Sequence, residues 1–182
     1  MALFIEDAAF SVAGFKKFSV HAIKAHFGDD ALIHSYEDSN NPVDRELDLK
    51  FGIDGVIVDG DDWSHNYASR VCRAQGYPTF TVRAERLSGT KTELAKLRQV
   101  DTPKPEYHIQ AYVDEHGAIV GIAERVEILR AIAHGKATTT RNRNDGTEFK
   151  AVKFVDVEGC RIYRVDISGN VVDVTADYAA TA

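Results

Sequence analysis

Between Asp44 and Val58 apolar and charged residues alternate almost one by one, and this pattern constrains the fold more than any other stretch. Leu47, Leu49, Phe51, Ile53 and Ile57 share one parity, while Asp44, Glu46, Asp48, Lys50 and Asp54 share the other. Successive side chains of a β-strand point to opposite faces. The spacing therefore predicts a strand with one oily face and one face of four carboxylates and a lysine. Val56 and Val58 return the second parity to apolar, so the charged part ends at Asp54. Two more strands are predicted, Tyr67 to Arg73 and Thr79 to Glu85, joined by the turn Gln75-Gly76-Tyr77-Pro78. In the second of these, Phe80, Val82 and Ala84 lie on one side and Thr79, Thr81, Arg83 and Glu85 on the other. A three-strand meander gathering acids and bases onto one side is the expected organising unit.

The flanking segments read more simply. A helix is predicted over 8–27, with Phe10, Ala13, Phe18 and Phe27 buried and Gly28 as its stop. Residues 29–43 read as irregular, with strong turn chemistry at Asp38-Ser39-Asn40-Asn41-Pro42. A short helix, TELAKLRQ, starts at Thr90 or Thr92 and turns Leu94 and Leu97 inward; the two prolines of Pro103-Lys104-Pro105 mark a loop after it. Tyr107–Val113 and Ala118–Ala123 read as a strand pair around Glu115-His116-Gly117, followed by a helix over 124–134 that ends at Gly135. Residues 138–146 read as an exposed polar loop. Phe149–Val157, Cys160–Ile167 and Val171–Val174 read as a β-meander, and the tail TADYAATA as frayed. Strand runs separated by helices indicate the α+β class, with a central mixed or antiparallel sheet flanked by helices. Residues 1–135 form the expected core, and 136–182 a β-rich extension packed on it in one compact domain.

Composition excludes several functions. The chain of 182 residues is long enough for a substantial core, and no apolar run approaches the roughly 20 residues of a membrane helix. The N-terminal acids Glu6 and Asp7 stand where a signal peptide would carry bases, which points to a cytosolic protein. Two cysteines without a C-x-x-C pair make neither a disulfide framework nor a cysteine zinc site. His21 and His26, five apart, do not share a helix face as paired metal ligands do. The acidic turn Asp59-Gly60-Asp61-Asp62 is no EF-hand, because Arg70 occupies the twelfth position. No phosphate-binding glycine loop, G-x-S-x-G elbow or H-E-x-x-H motif occurs.

The net charge of −6 is unevenly spread. Residues 1–63 carry 13 acids against 5 bases, whereas residues 64–100 carry 7 bases against 2 acids. The total argues against indiscriminate coating of nucleic acid, but Arg70, Arg73, Arg83, Arg86 and Lys91 form a local zone suited to a phosphate backbone. Acids on the preceding strand suit a hard divalent ion, Mg2+ or Mn2+. Asp54 is the first candidate ligand and Asp48 or Glu46 the second, with Arg70 and Arg83 directed at a phosphate and Lys50 placed to activate water. Plainer readings stand beside these. The acidic face suits the solvated side of an edge strand, and Arg70 and Arg83 suit cross-strand pairs with Asp54 or Glu85. Trp63 suits either a base-stacking platform or the rim of the core.

Gly52-Ile53-Asp54, in a helix–three strands–helix–strand order, resembles the PD-(D/E)xK nucleases, the restriction-endonuclease-like fold. The resemblance covers roughly residues 8–115. It implies that Asp54 is the metal-binding first aspartate and that an acidic residue and a lysine follow two apart on the next strand. Ala68-Ser69-Arg70 stands there, and Thr81-Val82-Arg83 on the third strand, so arginine replaces the lysine and the acid is missing. Acid-x-lysine triplets occur elsewhere, at Asp48-Leu49-Lys50 and Glu148-Phe149-Lys150. The stretch TFTVRAERLSGTKTE also looks like proteins of phages and mobile elements. The implied function is a nucleic-acid-acting protein, a Mg2+- or Mn2+-dependent phosphodiesterase. The alternative is a non-catalytic protein that binds nucleic acid or a host protein through its charged faces.

Overall fold

The structure, a computed structural model, describes residues 9–36, 39–61, 63–74, 77–85, 92–97, 102–142 and 146–180. It is an α+β fold with two sheets. The first helical run, α1, spans 9–27 and includes a π-helical stretch at Phe15–Ser19. It lays Phe15, Phe18, Ala22 and Ile23 on one face of a seven-stranded sheet and stops at Gly28, whose φ of 114° few other residues adopt.

The seven strands lie in the order β1 (Leu32–Ser35), β2 (Gly55–Val58), β3 (Ser64–Arg73), β5 (Tyr107–Val113), β6 (Gly117–Glu124), β9 (Arg161–Asp166) and β10 (Val171–Asp173). All neighbours are antiparallel except β3 and β5, which run parallel from Tyr67↔Tyr107 to Arg73↔Val113. A second sheet, β4 (Thr79–Glu85), β8 (Glu148–Lys153) and β7 (Thr138–Arg141), contributes Phe80, Val82 and Val152 to the core on the opposite face. With helix α4 (Arg125–Ala133) and Phe154, they bury a second core that includes Ala123 and Ile162.

Several expectations are corrected. The predicted strand over 44–58 begins only at Gly55; Pro42–Glu46 is a helix, α2, and Leu47–Phe51 continues it as a π turn. Local chemistry accounts for this. The Asn41 side chain caps the Val43 amide at 3.0 Å, and Pro42 occupies the first helical position. Glu46 and Lys50 pair at 3.0 Å four residues apart, and Leu47 and Phe51 share that helical spacing. Alternation by two and recurrence by four coincide here, and the helical reading wins until Gly52, in the left-handed region at φ 69°, stops it.

The three-strand meander is also divided. β2 and β3 pair as expected, but β5 takes the far edge of β3, and β4 crosses to pair with β8. The C-terminal meander separates likewise: β8 joins the second sheet, while β9 joins β6 and pairs with β10. Residues 136–182 thus supply strands to both sheets. The strand expected to reach Val157 ends at Lys153 and gives way to a 3-10 turn at Phe154–Asp156. Within 29–43, expected to be irregular, β1 forms, and within the expected loop 138–146, β7 pairs with β8. The tail winds into a helix, α5 (Thr175–Ala180), whose Thr175 amide is capped by Asp173 at 2.9 Å and whose hydroxyl accepts from the Ile162 amide at 2.9 Å. Trp63 is 70% exposed and so does not seal the core edge. No helix among the described residues is long and apolar enough to cross a membrane.

Candidate functional site

The chain reverses direction at Gly52, and the next residues place Asp54 beside β3. Its amide donates to Tyr67 O at 2.8 Å, and its carbonyl accepts from the Tyr36 amide at 2.8 Å. The Asp54 carboxylate receives the Ser69 amide at 2.6 Å and the Ser69 hydroxyl at 3.3 Å, both on Oδ2. Asp54 borders a cavity of about 310 Å³ between the π turn, β3, β4, β5 and a short helix, α3 (Glu93–Leu97).

Six charged side chains line that cavity: Asp48, Asp54 and Glu93, and Arg70, Arg83 and Lys96. Glu93 organises the two arginines. Its Oε1 accepts from Arg70 Nη2 at 2.5 Å and lies 3.8 Å from Arg83 Nη1, while Oε2 accepts the Arg83 amide at 2.9 Å. Arg70 Nη1 also donates to the Thr81 hydroxyl and carbonyl, at 3.0 and 3.3 Å. Both guanidinium groups lie over the Phe149 ring, at 5.5 and 5.7 Å. Thr92 ties α3 to β4, donating to Ala84 O at 3.1 Å and accepting the Ala95 amide at 3.3 Å. Lys96 donates to Leu49 O at 2.8 Å, joining α3 to the π turn. Burial pushes the Asp48 carboxyl above its ordinary range, and the positive charge of Lys96 partly offsets it.

The rear wall is polar and ordered. Gln110, buried, accepts the Thr81 amide at 2.9 Å and donates to the Thr81 hydroxyl at 3.0 Å and the Tyr112 hydroxyl at 3.1 Å. Its amide also reaches Cys72 Sγ at 3.6 Å; burial raises the Cys72 thiol above its usual range. His108 lies on the same wall, and burial lowers its imidazole to about 4.

The predicted site residues are therefore partly assembled. Asp54, Asp48, Arg70 and Arg83 line one cavity. Glu46 and Lys50 do not; they pair with each other on the exposed side of the helical turn, because the residues predicted as strand are wound into a helix. Arg73 lies over the Phe10 ring at 4.5 Å and does not line the cavity. Arg86, Lys91 and the side chain of Leu97 lie outside the described residues. Glu93, Lys96, His108 and Gln110 were missed. Lys96 and Glu93 stood in the counted charge zone, but a single histidine or glutamine on an alternating strand carries no local signal.

Among the described residues no three His, Cys, Asp or Glu side chains are grouped to hold a metal ion. The expected acidic set, Asp54 with Asp48 or Glu46, reduces to Asp48 and Asp54 at the cavity, since Glu46 pairs with Lys50 outside it. Comparisons with protein-family models, with curated proteins and with solved structures found nothing that matches this chain.

Proposed function

We propose that this cavity binds a phosphodiester of a nucleic acid strand. The observation that supports the reading is the convergence of Arg70 and Arg83, from two different sheets, with Lys96 on one hollow. Guanidinium forks match pairs of phosphate oxygens, and those held in place by Glu93, Thr81 and Phe149 lose little side-chain freedom on binding. The wall's three acids balance its three bases, so binding is local pairing and not bulk attraction.

Fluorescence anisotropy with a labelled single-stranded oligonucleotide tests this. Arg83→Ala lowers affinity about tenfold at low salt and flattens the salt dependence by about one phosphate contact. An unchanged affinity and salt slope would sink the reading.

A second reading, a Mg2+- or Mn2+-dependent phosphodiesterase as the nuclease resemblance implies, is favoured by Asp48 and Asp54 lining the same cavity. These two residues would hold the ion, which when bound supplies charge stabilisation at the phosphate and an activated water. Asp54→Asn keeps an acceptor for Ser69 but removes the charge. The expected outcome is a loss of Mn2+-dependent cleavage of at least ~100-fold with unaltered thermal stability. Equal cleavage by parent and variant, or none by the parent across single-stranded, double-stranded and branched substrates, removes this reading and leaves the binding one.

A further inference from the structure

Of the large apolar residues exposed among the described ones, Leu49 alone borders the cavity, with 72% of its surface open to solvent. Phe51, half-buried on the same π turn, borders it too, as does Pro105 just before β5. A single surface leucine is ordinary. Here it stands with an aromatic ring on the wall of a hollow that also carries six charged side chains. A lone inorganic anion would leave that apolar wall wet. Helix α3 sets the spacing: Glu93 bonds Arg70 and the Arg83 amide, and Lys96 donates to the Leu49 carbonyl at 2.8 Å. Residues three apart on a helix share a face, with Cβ atoms about 5–6 Å apart. The apolar wall therefore stands beside the arginines, as a base stands beside its phosphate across a sugar.

We infer that the cavity takes one unpaired nucleotide of a single strand, its phosphodiester at Arg70 and Arg83 and its base against Leu49 and Phe51. The inference rests on the phosphodiester reading above and names the substrate class of that site. Size supports it. At about 310 Å³ the cavity lies at the small end of the roughly 300–1,000 Å³ usual for small-molecule sites, which suits one nucleotide unit and excludes a duplex. A paired base is stacked inside the helix and reaches a side wall only after it is flipped out. An unpaired base reaches the wall at once and covers the exposed leucine. Every base has a face for such contact, so the site reads the unpaired state of the strand and not its sequence.

The test uses the full chain and two labelled octamers with the same number of diesters, octathymidylate and an abasic octamer of tetrahydrofuran residues. The parent should bind octathymidylate about tenfold more tightly than the abasic octamer at one salt concentration. A blunt duplex should bind at least tenfold more weakly than octathymidylate. Leu49→Ser, at an exposed position whose backbone carbonyl still serves Lys96, should narrow the ratio between the octamers to below about threefold. Should that variant fail to fold, Phe51→Leu keeps the apolar bulk, removes the ring, and should narrow the ratio likewise. Equal parent affinity for both octamers, each still weakened by Arg83→Ala, overturns the base site and leaves the phosphodiester reading standing. Duplex binding as tight as that of octathymidylate does the same. A base preference that the folded variants retain overturns its placement at Leu49 and Phe51. Absence of binding to either octamer overturns the phosphodiester reading and this inference with it.

Discussion

Phe154→Ala lowers the unfolding free energy by about 3–5 kcal/mol, the range for removing a fully buried phenylalanine. Phe154 follows β8 at the 3-10 turn, is inaccessible to solvent and packs on Phe80 of β4 with ring centroids 4.6 Å apart. It also packs against Gly121 of β6, where a Cβ would stand 2.6 Å from the ring. The ring thus lies directly on the backbone of the large sheet and joins it to the small one. Truncation leaves a cavity between two sheets that cannot collapse, because each is held by its own strand ladder. Urea denaturation should show a lower midpoint with an unchanged slope. A loss below about 1 kcal/mol would mean that the small sheet does not dock on the large one at this point. Docking matters to the cavity, since Thr81 and Arg83 reach it from β4 while Arg70 and His108 reach it from the large sheet.

Gly55→Ala is the second large effect and couples stability to the site. A Cβ at position 55 would stand 2.3 Å from the His34 carbonyl oxygen of β1 and 2.5 Å from the Tyr67 hydroxyl of β3. Neither is the loose end of a flexible chain. The first is backbone, and Tyr67 is fully buried with its ring stacked on Phe15 at 5.6 Å. Relief requires β2 to shift against both neighbours, at a cost of about 1–3 kcal/mol. The shift is transmitted to Asp54, the preceding residue, which is fixed by bonds to Tyr36, Tyr67 and Ser69. Thermal denaturation reads the first effect. The second appears as weaker oligonucleotide binding at temperatures where the variant is still folded. A variant as stable as its parent, with unaltered binding, would contradict the close approach of the three strands.

Helix α1, strands β3 to β6 and helix α4 were legible because each carries its own periodicity and a punctuating turn or glycine, such as Gly28 and Gly135. The segment 42–51 was misread because spacings of two and four overlap there; Asn41 and Pro42 were read as a turn instead of a helix start. That error carried Glu46 and Lys50 into the predicted site, although Asp48 and Asp54 reach it by another route. Glu93 was counted only as a charge. Its place between Arg70 and Arg83 depends on α3 folding back over β4, which the Thr92 hydroxyl secures through Ala84.

By itself, the order of residues determined the α+β class and the zone of mixed charge and singled out Asp54, Arg70 and Arg83 as candidates, because each follows from spacing along a few consecutive residues. Tertiary structure alone decided that β4 leaves its neighbour in sequence for β8, that β5 takes the vacated edge of β3, and that His108 and Gln110 come to face the arginines. An edge strand accepts any partner of matching pattern, so the choice among distant strands is made by how both faces of the large sheet are covered at once, which no local pattern encodes.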